Sequence, residues 1–298
     1  MDTRRIAVQP AARSAPTGVA DLAAYRHRSY ELWQHMAGGW ERGRAVLWET
    51  TRPVSEWLVD RLALQPGQTI LELAAGAGET GFLAARRLGD HGRLISSDFA
   101  PRMVETARRV ADALGITNAE FRVLDAERLE LEDASVDGAI CRFGYMLMAD
   151  PGRALRETRR VIRRGGRLAF SVFGEPERNP WMTVARGVMV ERGHLPPPDP
   201  DEPGLFSLRD PDRIGALLTG ARFAHSEVEE MAIAFRFDDA DSLWTYTSEL
   251  QGPIALAIAK LDDEQGQLVR PAIEEGYATF RKNGGYELPG LVLNVLAC

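Results

Sequence analysis

The chain has 298 residues, of which 45% are hydrophobic and 27% are charged. This composition is typical of one large globular domain, or of a domain with a cap, and it excludes wholesale disorder. The formal charge of −7 would repel a polyanion, so nucleic acid is not expected as a partner. No apolar run approaches the ~18 residues of a membrane-spanning helix. The two cysteines, Cys141 and Cys298, indicate a reducing, cytoplasmic setting and no metal site.

Four regions follow a short N-terminal segment. Residues 1–19 are Arg-rich without an apolar core, which favours a flexible tail over a secretory signal. Residues 20–60 are predicted to form an N-terminal helical cap, because apolar residues recur at three- and four-residue steps. We expect Gly38-Gly39 to end the first helix of that cap.

Residues 61–175 alternate strand-like and helix-like runs, which is typical of a parallel α/β sheet. The predicted strands are 69–73, 93–98, 120–124, 136–141 and 167–173, and a helix is predicted to begin at Pro101 and to stop at Gly115. Residues 176–222 contain a Pro-rich loop and are predicted to be an inserted lid. Residues 223–298 are predicted to complete the sheet with strands 232–237 and 290–296, around a helical stretch 239–282.

A glycine-rich turn follows the first strand of the sheet. Gly76-x-Gly78-x-x-Gly81 matches the dinucleotide fingerprint, which places an anion at a helix N-terminus. However, Glu72 and Glu79 flank this turn, and a diphosphate there would meet both carboxylates. S-adenosylmethionine (SAM) carries a sulfonium, an ammonium and only one carboxylate, so the sequence favours SAM.

Two further acids end the next two strands. A carboxylate at Asp98 can accept hydrogen bonds from both ribose hydroxyls of a nucleoside. A carboxylate at Asp125 can accept one from an adenine amino group, while the next backbone N–H donates to the ring. The alternative is that both are helix caps or turn residues, since Asp is favoured there.

With these residues in place, the sequence resembles the class I SAM-dependent methyltransferases, in the small-molecule branch that includes the ubiquinone and menaquinone C-methyltransferases. The matching blocks are LELAAGAGETG, SSDFAPRMVETAR, VLDAERLEL, SVDGAICRFGYM and LRETRRVIRRGGRLAFSVF. The resemblance implies a three-layer, Rossmann-like, seven-stranded sheet whose last strand is antiparallel, with N-terminal helices and an inserted cap.

The resemblance also implies cofactor contacts along the chain. The methionine end would lie on Glu72, Ala74, Gly76 and Gly78, and the ribose on Asp98. The adenine would lie beside Phe99 and Met103 and be contacted by Asp125 and Ala126, with Arg142 and Phe143 near the methyl group. Ala74 departs from the family pattern, because a glycine is common there.

The acceptor is expected to bind outside the core, where all six tryptophans lie. Candidate acceptor contacts are Trp40, Tyr145, Met146 and Trp181, although such side chains also pack ordinary cores. His35 and His194 are weak candidates for a general base.

The sequence thus predicts a SAM-dependent methyltransferase acting on a small apolar or aromatic acceptor. The alternatives are a nicotinamide-dependent oxidoreductase and a non-catalytic SAM-binding protein. Acceptor identity, the choice among carbon, oxygen and nitrogen nucleophiles, and the oligomeric state are left open by the pattern.

Overall fold

A computed structural model describes residues 3–6, 22–199 and 202–298. Within these ranges one mixed sheet contains the strands β1 (Thr3–Ile6), β2 (Thr69–Glu72), β3 (Arg93–Asp98), β4 (Ala119–Val123), β5 (Val136–Arg142), β6 (Ile162–Phe173), β7 (Ser226–Phe237), β8 (Arg281–Lys282) and β9 (Gly285–Ala297). The helices are α1 (Leu22–Arg42), α2 (Arg44–Leu62), α3 (Glu79–Leu88), α4 (Pro101–Leu114), α5 (Pro151–Val161), α6 (Pro180–Glu191), α7 (Pro211–Gly220), α8 (Ala240–Leu250), α9 (Pro253–Ile258) and α10 (Asp263–Gly276).

The strand order is β1-β7-β9-β6-β5-β2-β3-β4, with β8 paired to β9. Strands β2 to β6 run parallel, and β9 is antiparallel to both β6 and β7. This confirms the Rossmann-like seven-stranded sheet with an antiparallel last strand, to which β1 and β8 are added. The chain reverses direction across the sheet between β2 and β5, and such a switch point opens a ligand crevice at the carboxyl ends of the strands.

The N-terminal segment differs from the expected flexible tail at Thr3–Ile6. These four residues form β1 and pair with β7 in antiparallel register, from Thr3 opposite Met231 to Ile6 opposite Val228. An edge strand exposes unpaired backbone groups that another strand can satisfy, which explains the pairing. The remainder of residues 1–19 lies outside the described residues.

Helix α1 does not end at Gly38-Gly39, as predicted, but continues to Arg42. A Cβ atom on Gly39 would lie 2.8 Å from the backbone oxygen of Glu249 at the end of α8. The glycine is therefore required by a close approach between two helices, and this tertiary contact overrides its tendency to stop a helix.

Several segments cover the carboxyl edge of the sheet. Residues 176–222 form α6 and α7, and α7 packs against α5 and β7. Between these helices, the backbone N–H of Gly204 and the Ser207 hydroxyl donate to the backbone oxygen of Met146, which follows β5. Within the predicted N-terminal cap, α1 crosses the edge, and Met36 and Ala37 pack with Met103 of α4 and Ala255 of α9. The helices between β7 and β9 hold α1 in place, a role that the predicted helical stretch 239–282 did not reveal.

The close approach at Gly39 can be tested against its neighbour. Gly38→Ala should stabilise α1 by about 0.5–1 kcal/mol through reduced backbone entropy, because its Cβ would meet only a side-chain nitrogen of Arg42 at 3.6 Å. Gly39→Ala should lack this gain or destabilise the fold, since its Cβ would meet backbone. Urea unfolding of both variants measures the difference, and equal stabilisation would contradict the packing described.

Candidate functional site

The turn after β2 is built from left-handed backbone conformations. Gly76 and Gly78 have φ values of 56° and 91°, and Gly78 is the N-cap of α3. The Phe82 ring fills the place where a Cβ on Gly78 would lie. Ala74, where the family commonly has a glycine, has φ 51°, so the backbone conformation at this position has a steric cost.

Glu72 lies beneath this turn, 2% exposed. Its Oε1 accepts a hydrogen bond from the backbone N–H of Gly81 at 2.6 Å, and its Oε2 accepts one from the Ser96 hydroxyl at 2.8 Å. A Cβ on Gly81 would overlap the carboxyl group. Glu72 therefore braces β2, β3 and α3 together, whereas we had expected it to face the methionine end of the cofactor.

The charge at the turn is also lower than the sequence suggested. Burial raises the pKa of Glu72 to about 8, so the group is mostly protonated at neutral pH. Glu79 forms an ion pair with Arg44 of α2, with Nε and Oε1 3.0 Å apart. The expected repulsion of a diphosphate by two free carboxylates is thus absent.

Asp98 joins the end of β3 to the glycine turn. Its Oδ2 accepts from the backbone N–H of Gly76 and its Oδ1 from that of Ala100, both at 3.0 Å. Burial raises its pKa to about 6. The backbone N–H of Phe99 also bonds to this carboxylate, and because an ionised carboxylate has about four acceptor positions, about one stays available for a hydroxyl group of a ligand.

An apolar cluster borders Asp98 on the side of β4. Phe99, Trp33 and Trp40 pack against the buried cluster that contains Met103, and the Trp40 ring lies 3.6 Å from the position of a Cβ on Gly76. The structure thus brings Trp40, predicted as an acceptor contact, to the glycine turn itself. Its indole Nε1 is buried without a hydrogen-bond partner.

The loop after β4 contains a turn and an acidic residue that binds helix α1. Asp125 is exposed and its Oδ1 accepts from the backbone N–H of Glu127 at 2.8 Å, which is the turn role left open by the sequence. Ala126 is buried. The buried Glu127 binds Arg26 of α1 and accepts from the backbone N–H of Asp150 at 3.1 Å. Sequence reasoning missed Glu127, because its partner lies 101 residues away.

The end of β5 carries a guanidinium next to an aromatic pair. Arg142 donates from Nε to the hydroxyl oxygen of Thr80 at 2.9 Å and from Nη1 to that of Thr51. Phe143 has φ 61°, a strained value for a bulky residue, and its ring stacks on Phe173 with centroids 4.3 Å apart. Strain of this kind clusters at binding sites.

Tyr145 and Met146, predicted to face the acceptor, are both fully buried. The Tyr145 hydroxyl is 2.6 Å from that of Thr158, and its ring packs edge-on against Phe170. They belong to the core beside α5 rather than to a binding surface.

The remaining candidates also lie away from the turn. Trp181 is buried, with its ring between Phe173 and Phe235 and its Nε1 donating to Asn179 at 3.0 Å. His35 is exposed on α1, and His194 follows α6, where its backbone N–H donates to Met189. Neither histidine is positioned by any described contact to act at the glycine turn.

Comparison with known proteins agrees with this architecture. A family model described as a methyltransferase domain matches residues 64–190. Demethylmenaquinone methyltransferase from Deinococcus radiodurans is 30% identical over 197 residues, which cover 66% of this chain and 68% of that protein. A ubiquinone/menaquinone biosynthesis C-methyltransferase from Enterobacter sp. is 33% identical over 119 residues, covering 40% of this chain and 47% of the relative. The YcgJ protein structure from Bacillus subtilis has a TM-score of 0.54 at 20% identity, over 82% of this chain and 96% of that one.

The chain belongs to the class I SAM-dependent methyltransferase family. Its cofactor is accordingly S-adenosylmethionine, and the site described above contains the glycine turn and the acid after β3 that the sequence predicted. The chain spans only 36%, 28% and 47% of the first curated relatives that it matches. In the described part of the chain, no helix has the length and apolarity needed to cross a bilayer.

The protonation of Glu72 predicts a pH effect on stability. Folding raises the pKa of Glu72 from 4.5 to about 8. The contribution of the protonated side chain to the free energy of unfolding is therefore full below about pH 4.5 and is lost as the pH rises through about 8. Glu72→Gln keeps both hydrogen-bonding positions and cannot ionise. The variant should therefore gain stability relative to the wild type between about pH 5 and pH 9.

Urea unfolding at several pH values measures this, with Glu105→Gln on the exposed face of α4 as the control. A stability difference that does not change with pH would show that Glu72 ionises normally in the folded chain.

Proposed function

We propose that this protein transfers the methyl group of SAM to a small apolar or aromatic acceptor by in-line displacement. The observation that carries the proposal is the joining of Asp98 to the glycine turn through Gly76, beside the apolar cluster of Phe99 and Met103. This arrangement offers an acceptor for a ribose hydroxyl and an apolar surface for an adenine at the carboxyl edge of the sheet.

The chemistry asks little of individual side chains, because a sulfonium is already an activated methyl donor. Aligning nucleophile, methyl group and sulfur, and excluding water, can lower a barrier by roughly 7–11 kcal/mol. Helix α1 covers the turn with Trp40 and would keep solvent from a bound cofactor. An acceptor whose nucleophilic atom is already deprotonated at neutral pH would not require a general base at His35 or His194.

The acceptor side is proposed to lie over β5 and β6. Phe143 is only partly buried, stacks on the buried Phe173, and has the Arg142 guanidinium carbon 5.6 Å from its ring centroid, so the exposed part of its ring is an aromatic surface at the end of β5. We therefore assign Phe143 to acceptor binding, in place of Tyr145, Met146 and Trp181. A planar acceptor stacked there would match the preference of aromatic rings for one another.

The nicotinamide alternative rested on the glycine fingerprint, and the packing explains that pattern differently. Gly81, its third glycine, is required by the Glu72 carboxyl, which leaves no space for a Cβ. The pattern is thus satisfied without a diphosphate. Among partners, we propose a small-molecule acceptor and, from the free cysteines Cys141 and Cys298, a reducing cytoplasmic location.

The test begins with cofactor binding. The wild type should bind S-adenosylhomocysteine at micromolar concentration in isothermal titration calorimetry and should not bind NADH. Asp98→Asn should weaken S-adenosylhomocysteine by about 10–100-fold, because a neutral amide accepts hydroxyl hydrogen bonds less strongly than a carboxylate. Asp90→Asn, at an exposed position after α3, should leave the affinity unchanged.

Binding of NADH without S-adenosylhomocysteine would refute the methyltransferase assignment. Acceptor-dependent release of S-adenosylhomocysteine across a panel of phenols, quinols and carbon acids then separates an enzyme from a non-catalytic binder. Binding without turnover on any of them would favour the binder.

A further inference from the structure

Helix α1 touches the segments that follow four neighbouring strands, β5, β2, β3 and β4. These are the strand ends at which the proposed nucleoside would bind, so one helix lies against the whole cofactor edge. Its contacts there are Tyr25 with Leu147 after β5, Trp40 with Gly76 after β2, the cluster of Met36 and Met103 after β3, and Arg26 with Glu127 after β4.

The two ends of α1 are attached in different ways. Close backbone packing holds the C-terminal end, where a Cβ on Gly39 would lie 2.8 Å from the backbone oxygen of Glu249. Polar side chains hold the N-terminal end, where the Tyr25 hydroxyl donates to the backbone oxygen of Leu147 at 2.8 Å. Polar contacts can be exchanged for contacts with water, whereas close helix packing cannot. The N-terminal end is therefore the end that can separate from the edge.

The ion pair of Arg26 with Glu127 is the charged part of this N-terminal attachment. Arg26 Nε donates to Glu127 Oε2 at 3.0 Å. The Glu127 side chain is only 6% exposed, whereas the carboxylates that pair α1 with α4 and α8 are more open, at 34% for Glu41 and 42% for Glu249. A charge-assisted bond to a buried carboxylate is stronger and less screened than one at the surface.

The other oxygen of Glu127 has a partner of its own. Its Oε1 accepts from the backbone N–H of Asp150 at 3.1 Å, at the start of α5. One carboxylate thus joins the loop after β4 to α5 through one oxygen and to α1 through the other. Because the two bonds use different oxygens, a substitution can remove one and keep the other.

We propose that Glu127 is a positioning residue that holds α1 over the bound cofactor, so that SAM enters and its product leaves when Arg26 separates from Glu127. The inference rests on the proposed function and adds to it a step that controls cofactor exchange. Glu127 acts through Arg26 and the helix rather than by touching the cofactor. Since opening precedes both entry and exit, the ion pair slows association and dissociation together and leaves the equilibrium affinity nearly unchanged.

Stopped-flow binding of S-adenosylhomocysteine, followed by tryptophan fluorescence, tests the proposal. In Glu127→Gln the amide oxygen can keep the bond from Asp150, while the amide nitrogen, a donor, faces Arg26 in place of an acceptor. The association and dissociation rate constants should each rise about 10-fold. The Kd from calorimetry should change by less than about threefold.

Arg26→Met removes the same bond from the other side and should raise both rate constants equally. The double variant should be no faster than either single variant, because both substitutions remove one shared interaction. Glu56→Gln is the matched control, since it removes an ion pair on α2, in which Arg52 Nε lies 2.8 Å from Glu56 Oε1, and should leave both rate constants unchanged. Thermal melting establishes that each variant is folded, and the partly exposed Arg26 carries the test should Glu127→Gln fail to fold.

Three results would overturn the inference. An unchanged association rate in the Glu127 and Arg26 variants would show that the ion pair does not control entry. Faster dissociation alone would reduce Glu127 to a structural support of the loop after β4. Additive effects in the double variant would show that the two residues act separately. Each result leaves the proposed function standing if the wild type binds S-adenosylhomocysteine, whereas failure of the wild type to bind it would overturn the proposed function and the inference with it.

Discussion

The bonds of the Glu72 carboxyl group to Gly81 and Ser96 determine the geometry of the whole cofactor edge. They join β2, α3 and β3 at one buried point, and they force a glycine at position 81. The chain reaches the start of α3 through left-handed conformations at Gly76 and Gly78. In this turn, the carboxylate of Asp98 accepts a hydrogen bond from the backbone N–H of Gly76. A buried carboxyl with two good hydrogen bonds is specific in direction, which an apolar contact would not be.

The second constraint is the helix that covers the glycine turn. Helix α1 crosses the glycine turn, and its Gly39 allows α8 to lie against it, so residues far apart in the chain form one surface over the edge. The same helix places Trp40 against Gly76. Ligand access and helix packing are therefore linked, since the indole lies next to Gly76.

Strands β2, β3, β5 and β6 could be predicted from the sequence because each contains an apolar run bounded by turn residues. The short strands β1 and β8 and the polar first half of β7 lack such a run and were not predicted. The glycine turn and Asp98 were equally local signals. The bonds of Glu72 to Gly81 and Ser96 were not predicted, because a sequence gives the residue's position but not the direction of its side chain. Tyr145 and Trp181 were predicted as acceptor contacts for the same reason, since a sequence does not distinguish a buried aromatic residue from one that faces a ligand.

The features that sequence reasoning missed are those that join distant segments. Gly39 was taken as a helix stop because its partner, Glu249, is more than 200 residues away. Glu127 gave no signal, since its charge is explained only by Arg26. The role of α8 and α9 over the edge likewise depends on tertiary contacts, and a helical periodicity does not say what the helix covers.

The attachment of α1 has a consequence for the solution environment. Its ion pairs, Arg26 with Glu127, Glu41 with Arg109 and Arg42 with Glu249, are partly open to solvent, whereas the sheet is held by apolar packing. Mobile ions weaken such exposed pairs, and the screening increases with salt concentration, because the Debye length, about 8 Å at physiological ionic strength, shortens as salt is added. Rising salt concentration should therefore weaken the polar part of this attachment and leave its apolar part, from Met36 and Ala37, in place, so the covering helix depends on the surrounding electrolyte more than the sheet does.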